Sequence, residues 1–227
     1  MLKKWHLILC AAIFLVPTLS WAMACHCYSQ KNYDPNNPTS ADPYLLATSQ
    51  NSLVANVYNI AKKKIVIAKQ KSSTTSERLW VAHWVAERTV FTPGKLLKAR
   101  YRNNSWQEAL ATLQIDTQSF GSDFLQTLET LDVDTNLSQF VVDDVLLSNQ
   151  IIAEKQLTVL RQMGSNDAET ILSSLLALKT NQPASEFYNS VKFGGASWGS
   201  HLMSAQIDGT QMVEEIKGML AHAPQQI

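Results

Sequence analysis

Cysteine is nearly missing from this chain, and what there is sits at one end. Cys10, Cys25 and Cys27 are the three, so a disulfide framework or a cysteine-built zinc site is excluded from everything after residue 27. The histidines beyond that point, His83, His201 and His222, are scattered and form no second ligand cluster. Cys-x-x-Cys-His is absent, and c-type haem with it. An excess of either charge is missing too: Lys+Arg and Asp+Glu both number 19. With Lys3 and Lys4 set aside, 17 basic side chains face 19 acidic ones, and no concentrated positive field is left to hold nucleic acid. The densest basic run, Lys62-Lys63-Lys64 with Lys69 and Lys71, reads as a solvated helix face. Gly-x-Ser-x-Gly, phosphate-loop, dinucleotide and His-Glu-x-x-His patterns are all lacking. After residue 24 no apolar run approaches the ~20 residues of a membrane helix.

What is present begins with a leader. Lys3 and Lys4 precede the uncharged apolar run Leu7–Val16, Pro17 breaks it, and Ala22-Met23-Ala24 offers a small-x-small cleavage site. Residues 1–24 therefore read as a secretory signal peptide, which predicts an exported protein, periplasmic or extracellular. Cleavage after Ala24 makes Cys25 the new N-terminus. Cys25, His26 and Cys27 then form the candidate site. Four fates stay open for it: a strained Cys25–Cys27 disulfide, a disulfide to another protein, a soft metal such as Cu(I) or Zn(II), or acylation of Cys25. Only the last would tie the protein to a membrane.

Residues 25–42 are rich in Asn, Pro, Ser and Asp and predict an extended N-terminal arm. Residues 43–227 predict a single helical domain. Asp42-Pro43 is a good helix start, and Ile65-Val66-Ile67 is expected to be helical for want of a strand partner. A stretch at about 135–162 carries apolar residues on more than one face, and it predicts a long, buried central helix.

An internal repeat with an offset of 92 flanks that stretch. Ser105-Trp106, Leu110, Gln114-Ile115-Asp116 and Leu128 recur as Ser197-Trp198, Leu202, Gln206-Ile207-Asp208 and Leu220. Upstream, Arg100-Tyr101 matches Lys192-Phe193. The spacing predicts two related helical units, about 77–130 and 169–222. In each, a Ser caps a helix that Trp106 or Trp198 anchors to the core. Glu108 is expected to complete a capping box with Ser105, and Ser200 to lose the one at Ser197. Asp143 and Asp144, about 100° apart on a helix, do not converge as an acid/base pair. His83, His201 and the acidic pairs read as structural or solvated. The fold class expected is all-α.

The Cys25-His26-Cys27-Tyr28 start, Asp42-Pro43-Tyr44, Leu79-Trp80-Val81-Ala82-His83-Trp84 and the two Ser-Trp helices together resemble an uncharacterised family of exported bacterial helical proteins. The likeness covers most of the chain after the leader and implies no catalytic residues. The function expected is that of a helical binding or accessory protein of the cell envelope with a protein partner. Metal or thiol-redox chemistry at Cys25-His26-Cys27 is the alternative, and a hydrolase of unknown class the second alternative.

Overall fold

A computed structural model of the protein describes residues 28–71, 74–130 and 133–222. The leader and Cys25-His26-Cys27 lie outside them. The described residues form an all-α protein. In chain order the helices are α1 Asp42–Val57, α2 Lys62–Lys71, α3 Ser76–Glu87, α4 Pro93–Arg102, α5 Trp106–Thr112, α6 Ser122–Thr130, α7 Asp134–Ser148, α8 Glu154–Gln162, α9 Asp167–Thr180, α10 Ala184–Lys192, α11 Trp198–Ser204 and α12 Met212–Ala221. Short 3-10 turns, Thr117–Phe120 and Gly209–Gln211, lead into α6 and α12.

Helix ends are set by local chemistry. Thr75, Thr92, Ser105 and Ser197 accept the amide three residues on and cap α3, α4, α5 and α11. Four helices stop in one way. Asn59, Gln114, Gln150 and Gln206 take φ of 48°, 55°, 56° and 56°, and the isoleucine that follows donates its amide back to the carbonyl five residues earlier. The pairs are Ile60–Ala55, Ile115–Leu110, Ile151–Leu146 and Ile207–Leu202. This closes the last turn and aims an apolar side chain inward.

The stop at Gln150 corrects the expectation for 135–162. That stretch is not one central helix but two, α7 and α8. Its apolar run, Ile151-Ile152, is buried at the corner rather than along a helix face. The helices buried on every side are α1 and α9: Thr48 to Ala55 and Glu169 to Leu176 are each eight consecutive buried residues. Helix α1 packs against α2, α9, α11 and α12, while α7 packs against α3, α6 and α9. Two smaller expectations also change. The described part of the arm, expected to be extended and irregular, coils through successive turns over 34–42, with amides at 37, 40 and 42 bonding to carbonyls three residues back. The capping box forms at Ser197, where the compact Ser200 hydroxyl reaches the Ser197 amide at 3.2 Å, whereas the longer Glu108 reaches past Ser105 to Asn104. Ile65 and Val66 lie buried in helix α2, as expected.

Trp106 and Trp198 are 0% and 2% exposed and belong to one continuous core. Replacing either with Ala should lower unfolding free energy by about 3–5 kcal/mol, read by urea denaturation.

Candidate functional site

The predicted site residues Cys25, His26 and Cys27 lie outside the described residues, but the chain that leads to them is fixed. Tyr28 sets its ring edge-on to Tyr44 of α1 with 5.8 Å between centroids. Tyr33 lies over Gly199, where a Cβ would stand 2.9 Å from its ring and 3.1 Å from its own Cβ. Asp42 does not cap its own helix; its carboxylate accepts the Gly199 amide of α11 at 3.0 Å. Arm, α1 and α11 are thus joined at one place.

Two cationic joints hold successive helices together. In the second half of the chain Arg161 of α8 donates to Asp143 of α7 at 2.6 and 2.9 Å and to Asp167 of α9 at 2.8 Å. Ser138 also donates to Asp167. Burial pushes both carboxyls up and the guanidinium pulls them back. Asp143 is therefore a pairing residue, not a solvated one. In the first half Lys69 of α2 donates to Asn51 of α1 and to Ser76 of α3, each at 2.6 Å. Lys62 donates to Thr48. Burial brings the Lys69 ammonium down to about 8, with Glu77 opposing it, and lowers Lys62 as well. Lys62 and Lys69, expected on a solvated face, instead cover the polar side of α1. The role of Lys69 could have been found by carrying the offset upstream, since Lys69 and Arg161 stand 92 positions apart, as do Asn51 and Asp143.

An aromatic cluster occupies the far end of α1. His83 stacks on Tyr58 at 5.2 Å and 26°, and Tyr58 meets Trp80 edge-on. The Tyr58 hydroxyl and Trp80 indole N–H are buried without a hydrogen-bond partner among the described residues. Nearby, Trp84 donates to Asp144 at 2.7 Å, and Arg88 lies 3.7 Å over the Trp84 ring. Burial lowers His83 to about 4.

The surface offers an open groove of about 680 Å³ where α7, α8 and α9 meet, lined in part by Gln150, Glu154, Gln156 and Asn181. It also offers Tyr101 and Phe193, each 79% exposed, at the ends of α4 and α10. Among the described residues no group of three or more His, Cys, Asp and Glu gathers to hold a metal, and no helix is long and apolar enough to cross a membrane. No family model, curated protein or solved structure matches the chain.

Two outcomes follow from this geometry. Because folded His83 stays neutral down to about pH 4 and unfolded histidine titrates near 6.5, the unfolded state binds the extra proton between those values. Stability should fall as pH drops from 6.5 to 4, by at most about 3 kcal/mol. His83→Leu should flatten that part of a denaturant-midpoint profile. Gly199→Ala should push Tyr33 off α11 and cost about 1–2 kcal/mol. Limited proteolysis should then cut first within residues 28–41.

Proposed function

We propose that the protein is an exported helical binding protein of the cell envelope, an accessory that engages a protein partner through Tyr101 and Phe193. The observation that carries this reading is the pair itself. Among the described residues these are the two exposed aromatic side chains, and they stand 92 positions apart at the ends of matching helices. Exposed aromatics supply large contact area at little entropic cost and are frequent anchors of protein interfaces.

The reading includes a duplicated architecture, α1–α6 and α7–α12. The repeated isoleucine stops, the Ser105 and Ser197 caps and the two cationic joints support it. It takes the duplication further upstream than 77–130 and 169–222.

The test is a photo-crosslinking residue placed at 101 or 193 in the full chain in its native envelope. A discrete crosslinked product from both positions, absent from a control at the exposed Val90, is expected. Tyr101→Ser with Phe193→Ser should weaken capture of that partner tenfold or more while leaving thermal stability within about 0.5 kcal/mol. Products from neither position would end the reading.

A second reading, metal or thiol-redox chemistry at Cys25-His26-Cys27, is favoured by the anchoring of Tyr28 beside Tyr44. That contact ties Tyr28, the residue that follows them in the chain, to α1. Intact mass of the envelope-derived protein decides it. Loss of two hydrogens with reductant-sensitive recovery, or a metal released on denaturation, supports it. Acyl mass on Cys25 removes it and makes the protein lipid-anchored.

A further inference from the structure

Arg161 and Lys69 occupy the same place in two like arrangements: each comes from the second helix of its half and bridges the middle of the helix before to the start of the helix after. Their surroundings differ in one respect. Arg161 has two carboxylates, Asp143 and Asp167. Asn51 stands 92 positions before Asp143 and Thr75 stands 92 before Asp167, while the partners of Lys69 are Asn51 and Ser76, the latter the first residue of α3 as Asp167 is of α9; all three are neutral. No carboxylate among the described residues lies within ion-pair distance of Lys69. Lys62, seven positions earlier on the same face of α2, likewise meets a neutral hydroxyl, that of Thr48.

The replacements also change hydrogen-bonding capacity. A carboxylate only accepts, whereas the Asn51 amide and the Ser76 and Thr48 hydroxyls can donate. Turned outward, they and the two ammoniums form a set of donors with no anion among them. Lys is shorter than Arg and Ser smaller than Asp, so the exchange removes atoms from the joint. Lys69 and Ser76 are half-buried and not sealed from solvent. Glu77 acts on Lys69 through space and opposes the effect of burial on it.

We propose that the cluster of Lys69, Asn51 and Ser76, flanked by Lys62 and Thr48, is an anion site. It takes a small oxyanion, a carboxylate or a sulfate- or phosphate-type group, in the role that Asp143 and Asp167 play for Arg161. The site is independent of the aromatic pair at 101 and 193. A bound anion would lock α2 against α1 and α3 with charge-assisted hydrogen bonds.

The test follows the Lys69 side-chain amine by NMR while sodium sulfate or sodium acetate is titrated into the purified full-length protein against sodium chloride of equal ionic strength. Saturable movement of the Lys69 signal, with its pKa raised by about one unit or more, is expected for at least one oxyanion and not for chloride. The anion that saturates first identifies which chemistry the site prefers. Asn51→Asp with Ser76→Asp, which copies the second half, should raise the Lys69 pKa by itself and abolish the response. Lys69→Met should abolish the accompanying rise in melting temperature. If Lys69→Met fails to fold, the double variant still decides. A linear response equal to that of chloride, or one that survives in the double variant, overturns the proposal.

Discussion

Helix α1 buries eight residues in succession, and five of them, Thr48, Ser49, Gln50, Asn51 and Ser52, are polar. A polar group taken from water without a partner costs about 1–3 kcal/mol, so such a helix is tolerable only where its neighbours bring hydrogen bonds. The structure around it answers most of that constraint, leaving the Ser52 hydroxyl without a partner among the described residues. Ser49 bonds to the Leu45 carbonyl one turn back, and Asn56 bridges to the Val213 carbonyl of α12. Lys62 and Lys69 come down from α2 onto Thr48 and Asn51. On α9, Thr170, Ser173 and Ser174 are fully buried small residues, and Ser174 and Thr170 satisfy themselves locally. The position of α2 is therefore fixed by what α1 needs covered as well as by its two buried apolar residues, Ile65 and Val66.

The second half meets a similar need with charge. Arg161 is nearly buried and joins three helices through two aspartates, an arrangement whose net worth is small but whose disruption is costly, because a lone buried charge would remain. Such a joint favours one geometry over its alternatives more than it adds stability. The lysine joint is softer: one ammonium, two neutral acceptors and a depressed pKa. The two halves therefore differ in how firmly their second helix is held.

Much of this was legible in the sequence, for a physical reason. Caps, turns and anchors are local, and the offset of 92 marks them twice: Ser105 and Ser197, Trp106 and Trp198, Asp116 and Asp208, which cap their 3-10 turns alike. The break after α7 was not legible. Its left-handed residue is Gln150 rather than glycine, and the Ile151-Ile152 pair that follows continues an apolar pattern although it marks a corner. The burial of α1 was hidden as well. Its polar residues look solvent-facing until α9 and α12, more than a hundred residues later, close over them. Lys69 and Arg161 were hidden because a cation at the end of a helix reads as surface unless its partners on two other helices are known.

Internal bonds and buried faces account for the exposure of the aromatic pair. Arg100 turns inward to Asp134 at 3.0 Å, and Lys192 reaches the capping Glu169 at 2.6 Å. Buried Arg100 fixes the rotation of the end of α4, whereas Lys192 is itself exposed and α10 is set mainly by buried Phe187 and Tyr188. The residue after Arg100 lies about 100° further round and cannot follow it inward. Tyr101 is thus held out by the ion pair of its neighbour, and Phe193 by the face that α10 buries. Asp134 also receives Arg78 at 2.7 Å, so on the first side that rotation is coupled to α3 as well as α7. In the proposed binding role, an aromatic side chain on a helix end held this way would meet a partner already ordered. Less entropy is lost on contact than if it stood on a mobile loop.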